Sequence, residues 1–166
     1  MAPHAGTVQL DGHPMNSLDL ALVRSVIGDS LNDEDVFAGT IQENIVVGRS
    51  WVKEQEVMDA CRVTGLVDQL GQFPEGLLTR IDPQGTRLPK SVVKRILLAR
   101  CIAGSPRLIL LEDSLGNWDR QDREQVLGWI SAPERPWTLL VVSNDPWLHQ
   151  RCARTVHLHE GRIMTA

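Results

Sequence analysis

Two adjacent carboxylates, Glu112 and Asp113, directly follow a run of apolar residues at positions 108–111. Such a run predicts a strand that is buried on both faces of a parallel sheet. Ligands of open α/β sheets bind outside the carboxyl ends of the strands, where nucleotide hydrolases place their acids. One carboxylate could hold Mg²⁺ while the other orients or deprotonates an attacking water. The same pair could instead cap a helix or form a solvated turn, and the residues alone leave these alternatives open.

The residues after the acid pair predict a strand-helix-strand unit. Asp119 can cap a helix that reaches residue 130, and residues 137–143 supply a second buried strand. The order strand, helix, strand implies a βαβ crossover. The carboxyl ends of both strands would then lie at the same edge of the sheet.

Hydrophobic spacing, glycines and prolines predict the other elements. Residues 53–70 carry apolar side chains at helical spacing and predict one helix with a buried face, and residues 90–103 predict another. Residues 29–35 predict an exposed acidic loop, and residues 73–85 a connection rich in Pro and Gly. The remaining predictions are a strand over 7–10 closed by Asp11-Gly12, a helix over 17–26 capped by Ser17 or Asp19, and a hairpin made by 155–159 and 162–165.

The bulk composition narrows the functional class. A chain of 166 residues with 42% hydrophobic residues predicts one globular domain. The net charge of −4 argues against a basic surface of the kind that binds nucleic acid. Three widely spaced cysteines without a CxxC pair favour a reducing, cytosolic compartment over disulfides or zinc. The apolar runs are too short to span a bilayer, and no signal peptide is evident, so a membrane link would come through a partner or another segment.

Other residue types have plainer interpretations. His157 and His159 lie two apart on a predicted strand and so share a face, but no third metal ligand accompanies them, and a solvated face is the better interpretation. Packing explains the five tryptophans better than stacking on a base. Arg95 and Arg100 are expected to make structural salt bridges rather than to contact phosphate.

The order of several segments resembles the ATP-binding cassette family over nearly the whole chain. Residues 37–45 read Phe-Ala-Gly-Thr-Ile-Gln-Glu-Asn-Ile, and the stretch Phe-x-Gly-Thr-Ile-x-Glu-Asn-Ile is typical of exporter-type cassettes. Residues 77–79, Gly85, residues 95–100 and residues 106–111 follow in the family's order and spacing. The resemblance implies a partial P-loop NTPase fold of the α/β class, with a mostly parallel sheet core and an inserted helical subdomain.

The family binds ATP between two such domains, and a signature loop at the start of a helix faces the γ-phosphate. Residues 88–92, Leu-Pro-Lys-Ser-Val, stand where the family has Leu-Ser-Gly-Gly-Gln. The loss of both glycines restricts how closely the backbone can approach phosphate, while Lys90 keeps a positive charge and Ser91 a hydroxyl near the expected anion. The resemblance thus implies that Lys90 and Ser91 contact nucleotide.

The resemblance also assigns the residues around the acid pair. The family's strand ends in Asp-Glu, with the first acid on Mg²⁺ and the second as catalytic base; the reversed order here implies Glu112 at the metal and Asp113 as base. Asp119 matches the aspartate of the loop that crosses the dimer interface. Asn32 matches a glutamine near Mg²⁺ that also contacts the membrane partner. Asn144 replaces the switch histidine and can hydrogen-bond a phosphate or water but cannot take up a proton.

No GxxxxGK[ST] loop occurs in the sequence, so the main phosphate cradle of the family is not among these residues. We therefore expect residues 1–48 to supply a strand and the glutamine-loop segment, 49–104 the helical subdomain, and 105–166 the second half of the ATPase core. The expected cofactors are ATP and Mg²⁺, weakly bound or unbound by these residues alone. The expected partners are a transmembrane domain and a second nucleotide-binding domain, at the cytoplasmic face of the membrane. The rival hypothesis is a pseudoenzyme or interaction module that keeps the fold without hydrolysis.

Overall fold

The computed structural model describes residues 5–31, 35–112, 115 and 118–164. The strands in chain order are β1 Gln9–Leu10, β2 His13–Pro14, β3 Ile27–Ser30, β4 Gly39–Thr40, β5 Arg80–Ile81, β6 Leu108–Glu112, β7 Thr138–Val142, β8 His157–His159 and β9 Arg162–Met164. The helices are α1 Leu20–Ser25, α2 Ile41–Val46, α3 Glu54–Val63, α4 Leu66–Leu70, α5 Lys90–Ile102, α6 Arg120–Ile130 and α7 Pro146–His149, with 3₁₀ turns at Met15–Ser17, Gly76–Leu78 and Pro83–Gly85.

Strands β3, β6 and β7 form a parallel sheet in that order. The predicted crossover is confirmed, because α6 joins β6 to its parallel neighbour β7. The prediction that residues 29–35 are all an exposed loop is wrong at its start, since Asp29 and Ser30 belong to β3 and Ser30 is buried. Gly28 explains this position: a Cβ there would lie 1.9 Å from the Cys101 carbonyl oxygen of α5, so a side chain would push the helix off the strand.

The two faces of this sheet differ in burial. Ile109 and Leu111 of β6 are buried, whereas the alternate residues of the strand are half-buried. On β7, Leu140 is 59% and Val142 66% exposed. The prediction of strands buried on both faces is therefore wrong for the described residues, in which one face is covered by helices and the other is accessible.

Helix α5 is the centre of the helical part and packs against α2, α3, α4 and β3. Its observed span, Lys90–Ile102, confirms the prediction to within a residue. The single helix predicted over 53–70 is wrong, because α3 ends at Val63 and α4 starts at Leu66. Gly65 between them has a φ of 65°, a left-handed conformation that a continuous helix does not contain. The apolar spacing survives across the break, which is why the pattern alone did not indicate it.

The exporter-like stretch 37–45 is held by polar contacts within the protein. Thr40 and Glu43 form a reciprocal capping box at the start of α2. The Asn44 side chain is fully buried; its amide group donates to the Phe37 and Thr40 carbonyl oxygens at 2.9 and 3.0 Å. Its carbonyl oxygen accepts from the Phe37 amide at 2.9 Å and from Arg100 at 3.1 Å. The motif is thus a structural unit that fixes α2 against α5.

Arg49 joins the ends of the same two helices. Its guanidinium donates to the Ile45 carbonyl at 2.8 Å, and to the Arg100 and Ala103 carbonyls at 2.9 and 3.1 Å. The last carbonyls of a helix have no intrahelical donor and need such partners. One side chain therefore closes the carboxyl ends of both α2 and α5.

The described part of the chain contains no helix with the length and apolar character that a bilayer crossing requires. The terminal hairpin predicted from the sequence is confirmed as β8 paired with β9. The tryptophans at 118, 129, 137 and 147 pack against the core, as predicted, whereas Trp51 is 53% exposed.

Candidate functional site

The carboxyl ends of the three parallel strands lie at one edge of the sheet. Ser30 pairs with Leu111, and Glu112 pairs with Val142. Residues 143–145 follow β7 directly, so Asn144 lies at the same edge as Glu112. Asn144 is exposed and Glu112 is half-buried. The predicted site residues Asn32 and Asp113 lie outside the described residues.

Beside Glu112 lies a crevice of about 10 Å³, which has room for roughly one water molecule. Its polar lining is Glu112, Arg123, Ser143 and Asp145, and its apolar lining is Leu111, Leu115, Leu127, Val141 and Leu148. The apolar walls lower the local dielectric around the carboxylate. This strengthens any attraction between Glu112 and a cation at the sheet edge.

Asp145 organises the loop after β7. Its Oδ2 lies 2.9 Å from an Arg123 nitrogen in a partly buried ion pair, and its Oδ1 accepts from the Trp147 amide at 2.9 Å. Its own amide donates to the Ser143 hydroxyl at 3.0 Å. Asn144 is thus held between two anchored neighbours. Asp145 was not among the predicted site residues, although Asp-Pro at residues 145–146 is the signal of a helix start, with Asp145 as the cap of α7 and Pro146 at its first position.

Lys90 and Ser91 lie in the first turn of α5, and both are exposed. Pro89 precedes them at the cap and offers no side-chain acceptor to the first amides. Lys90 lines an open cleft of about 660 Å³, together with Ser30 and Leu31 at the end of β3. The residues that line this cleft include neither Glu112, Asp119 nor Asn144. The structure therefore brings Lys90 near the end of β3, and Glu112 near Asn144, as two separate groups.

Asp119 caps α6, as predicted, and its side chain accepts from the Asp122 amide at 2.9 Å. That hydrogen bond, with the positive charge of Arg95 as a further contribution, holds the pKa of Asp119 below its usual range. Asp119 is exposed and therefore presents a carboxylate to solvent at neutral pH. The cap fixes this residue at the start of α6.

The two histidines noted above lie on β8 and are exposed. The His157 ring lies 6.2 Å from that of His149, in an edge-on arrangement. Within the described ranges, no three His, Cys, Asp or Glu side chains gather as a metal site would require. The predicted salt bridge of Arg95 is confirmed with Asp122, and the hydrogen bonds of Arg100 to Asn44 tie α5 to α2.

Comparison with known proteins gives a consistent result, although no family model matches the chain. The chain is 32% identical over 157 residues to the ABC transporter ATP-binding protein YknV of Bacillus subtilis, covering 95% of the chain and 26% of the relative. It is 28% identical over 160 residues to the ABC transporter aclQ of Aspergillus oryzae, covering 96% and 20%. It is 26% identical over 161 residues to an ATP-dependent lipid A-core flippase of Chromobacterium violaceum, covering 97% and 28%. The chain thus spans about a quarter of the length of these relatives.

The fold has a counterpart among solved structures. A bacterial Atm1-family ABC exporter with ATP bound superposes with a TM-score of 0.88 at 21% identity, covering 98% of the chain and 29% of that protein. The α/β architecture with a parallel sheet is therefore that of part of a P-loop NTPase domain. In sequence and fold, the chain belongs to the ATP-binding cassette family and corresponds to part of the nucleotide-binding domain of its exporter type.

Proposed function

We propose that the chain is part of the domain that binds and hydrolyses ATP in an exporter, and that a longer assembly couples this hydrolysis to transport. The observation that carries the proposal is Glu112, a half-buried carboxylate at the carboxyl edge of a parallel sheet that superposes on an ATP-bound exporter. The partners of this assembly would be a transmembrane domain and a second nucleotide-binding domain. The chain would then work at the cytoplasmic face of a membrane.

The donor chemistry of the edge fits Mg²⁺ bound together with a nucleotide. Proteins hold Mg²⁺ through one or two carboxylates, with water and substrate phosphates completing the octahedron. Glu112 supplies such a carboxylate at the carboxyl edge of the sheet. Mg²⁺, when bound, would neutralise charge that develops on the phosphates. Glu112 would bind the metal, and the ordered loop 143–145 would keep the Asn144 amide within reach of a phosphate or a water.

The remaining site residues receive roles from the resemblance to the family. Asp113, next in sequence to Glu112, would act as general base toward the attacking water. Lys90 and Ser91, exposed at the start of α5, would face the γ-phosphate of a nucleotide held mainly by the second domain. Asp119 would meet that second domain at the dimer interface. Asn32 would contribute an amide near the metal and the membrane partner.

Lys90 changes the chemistry of the signature position. A glycine would allow the backbone amides close access to phosphate, whereas Lys90 places a flexible ammonium in front of the same helix end. The charge is attractive to phosphate at longer range but gives less directional contact than backbone amides. This supports a nucleotide site that relies more on charge and is therefore sensitive to salt.

Calorimetry tests the proposal. ATP and Mg²⁺ binding is measured for the 166-residue chain and for a fusion in which a segment with a GxxxxGK[ST] loop precedes it. We expect measurable binding by the fusion and little by the chain alone. Glu112→Gln in the fusion should lower the Mg²⁺-dependent part of the ATP affinity about tenfold, because a neutral amide is a poorer ligand for the metal.

The matched control is Glu134→Gln, which neutralises an exposed glutamate after α6 and should leave binding unchanged. A folded fusion that binds no ATP would refute the proposal and favour the pseudoenzyme. Unchanged Mg²⁺ dependence in Glu112→Gln would refute the metal role of Glu112 alone.

A further inference from the structure

Arg95 is a buried cation in α5, and its side chain is 10% exposed. Its guanidinium makes three different contacts. It forms an ion pair with Asp122 in the first turn of α6, donates to the Thr64 carbonyl at the break between α3 and α4, and lies over the Trp118 ring at 4.4 Å from the centroid. One side chain thus joins the α3–α4 break to the start of α6, two regions that are distant in sequence.

The break between α3 and α4 is shaped around this guanidinium. A Cβ on Gly65 would collide with Nη1 of Arg95, and the positive φ of Gly65 exposes the Thr64 carbonyl toward it. The planar guanidinium of an arginine can donate to this carbonyl and pair with a carboxylate at the same time in a fixed geometry, which a lysine ammonium does not reproduce. The requirement for glycine at this position follows from Arg95 as well as from the local backbone.

Trp118 depends on Arg95 for its placement. Its indole N–H is buried and has no hydrogen-bond partner among the described residues. The ring is therefore oriented by packing and by the cation above its face, a contact worth more when water is excluded. Trp118 directly precedes Asp119, so the position of the ring constrains the loop at the start of α6.

Asp122 links the same cation to the cap. Its carboxylate pairs with Arg95, and its backbone amide donates to the Asp119 side chain at 2.9 Å. Arg95 therefore holds the loop end from two sides, through the Trp118 ring and through Asp122. We call Arg95, Trp118 and Asp122 the Arg95 latch.

We propose that Arg95 is a positioning residue that sets Asp119 relative to the first turn of α5. Lys90 lies five residues before Arg95, about 7.5 Å along the helix. The two segments that face the second domain in the proposed function are thereby coupled through one buried side chain. The structural part stands on the contacts of the latch, and its consequence for hydrolysis rests on the proposed function.

Hydrogen exchange of the nucleotide-free chain tests the structural part. The amides of Asp122 and Arg123 bond to Asp119, so their exchange reports directly on the cap. Arg95→Lys and Asp122→Asn should accelerate their exchange about tenfold relative to the amides in the middle of α5. Trp118→Leu should give a smaller acceleration, because it keeps the ion pair and removes the cation–π contact.

The matched control is Arg62→Lys, because Arg62 pairs with Asp59 on the exposed surface of α3. It should leave the exchange of Asp122 and Arg123 unchanged. Equal acceleration in every element, or none at the cap, would overturn the latch and leave Arg95 as a general packing residue. Arg95→Lys and Trp118→Leu keep much of the side-chain volume, which protects the test against a variant that fails to fold.

The ATP-binding fusion separates this inference from the proposed function. We expect Arg95→Lys to lower kcat about tenfold with little change in KM, because the latch acts on residues that complete the site of the second domain. An equal rise in KM with unchanged kcat would contradict a positioning role. Loss of cap protection in a fusion that binds no ATP would support the latch while refuting the proposed function.

Discussion

Two asparagines show how differently the two parts of this molecule use the same residue type. Asn44, in the helical part around α2 and α5, is fully buried and bonds to four protein groups. Asn144, at the carboxyl edge of the sheet, is exposed between two anchored neighbours. The helical part satisfies its polar groups internally, whereas the sheet edge presents polar groups that are available to a ligand. The family-like sequence of the helical part therefore has a structural cause, whereas Asn144 at the sheet edge is a change at a position that faces solvent.

Replacement of the two asparagines should give the largest contrast. Asn44→Ala leaves buried backbone groups without partners and removes one hydrogen-bond acceptor of Arg100, and it should lower the free energy of unfolding by about 3–4 kcal/mol. Asn144→Ala should change it by less than about 0.5 kcal/mol. Urea unfolding of both variants measures the difference. A similar loss of unfolding free energy in the two variants would show that Asn144 also has a structural role, and would contradict the contrast between the two parts.

Substitution of two glycines tests how closely the helices of the two parts pack. Gly28→Ala brings a methyl group against the Cys101 carbonyl and should cost about 2–3 kcal/mol, because a backbone atom must move. Gly128→Ala in α6 meets nothing closer than Trp147 at 4.0 Å, and should gain up to about 1 kcal/mol from helix propensity. Thermal unfolding shows whether each variant loses or gains stability. A stable Gly28→Ala variant would mean that α5 does not rest on β3 as closely as described.

Cys61 provides a test by pH. Burial in α3 raises the pKa of this thiol from 9.0 to about 11. Between these values the unfolded chain releases a proton that the folded chain keeps, so stability is full below about pH 9 and falls as the pH rises toward about 11. The loss should reach roughly 2 kcal/mol and be absent from Cys61→Val. Unfolding curves of both proteins at several pH values measure it, and parallel pH dependences would contradict the burial argument.

The elements that the sequence predicted well are those with a strong local signal. α5 and α6 carry apolar residues at helical spacing, Asp119 is a good capping residue, and β6 is a run of aliphatic side chains. β3 was missed because Gly-Asp-Ser gives no strand pattern. It becomes a strand through its pairing with β6 and its close contact with α5, both of which are remote in sequence.

The candidate site also contains features that the sequence could predict and features that it could not. The edge residues Glu112 and Asn144 could be placed from strand order, because parallel strands end together. The contacts that fix their surroundings could not, since Arg123 reaches Asp145 and Arg95 reaches Asp122 across long stretches of sequence. The break at Gly65 belongs with them, because its cause is a guanidinium thirty residues downstream. Charge pairs of this kind leave no local pattern to detect.

The position of Arg49 has a consequence for the order in which the chain is completed during synthesis. Its guanidinium closes α2 through the Ile45 and Val46 carbonyls, and it also bonds to the Ala103 carbonyl at the end of α5, 54 residues later in the sequence. At about 5–20 residues per second, a ribosome needs roughly 3–10 s to add that stretch. Arg49 can therefore close α2 soon after it is synthesised, whereas the tie from α2 to α5 waits for the end of α5. A pause in translation within this interval would prolong the exposure of an α2 that is not yet joined to α5 to chaperones and proteases.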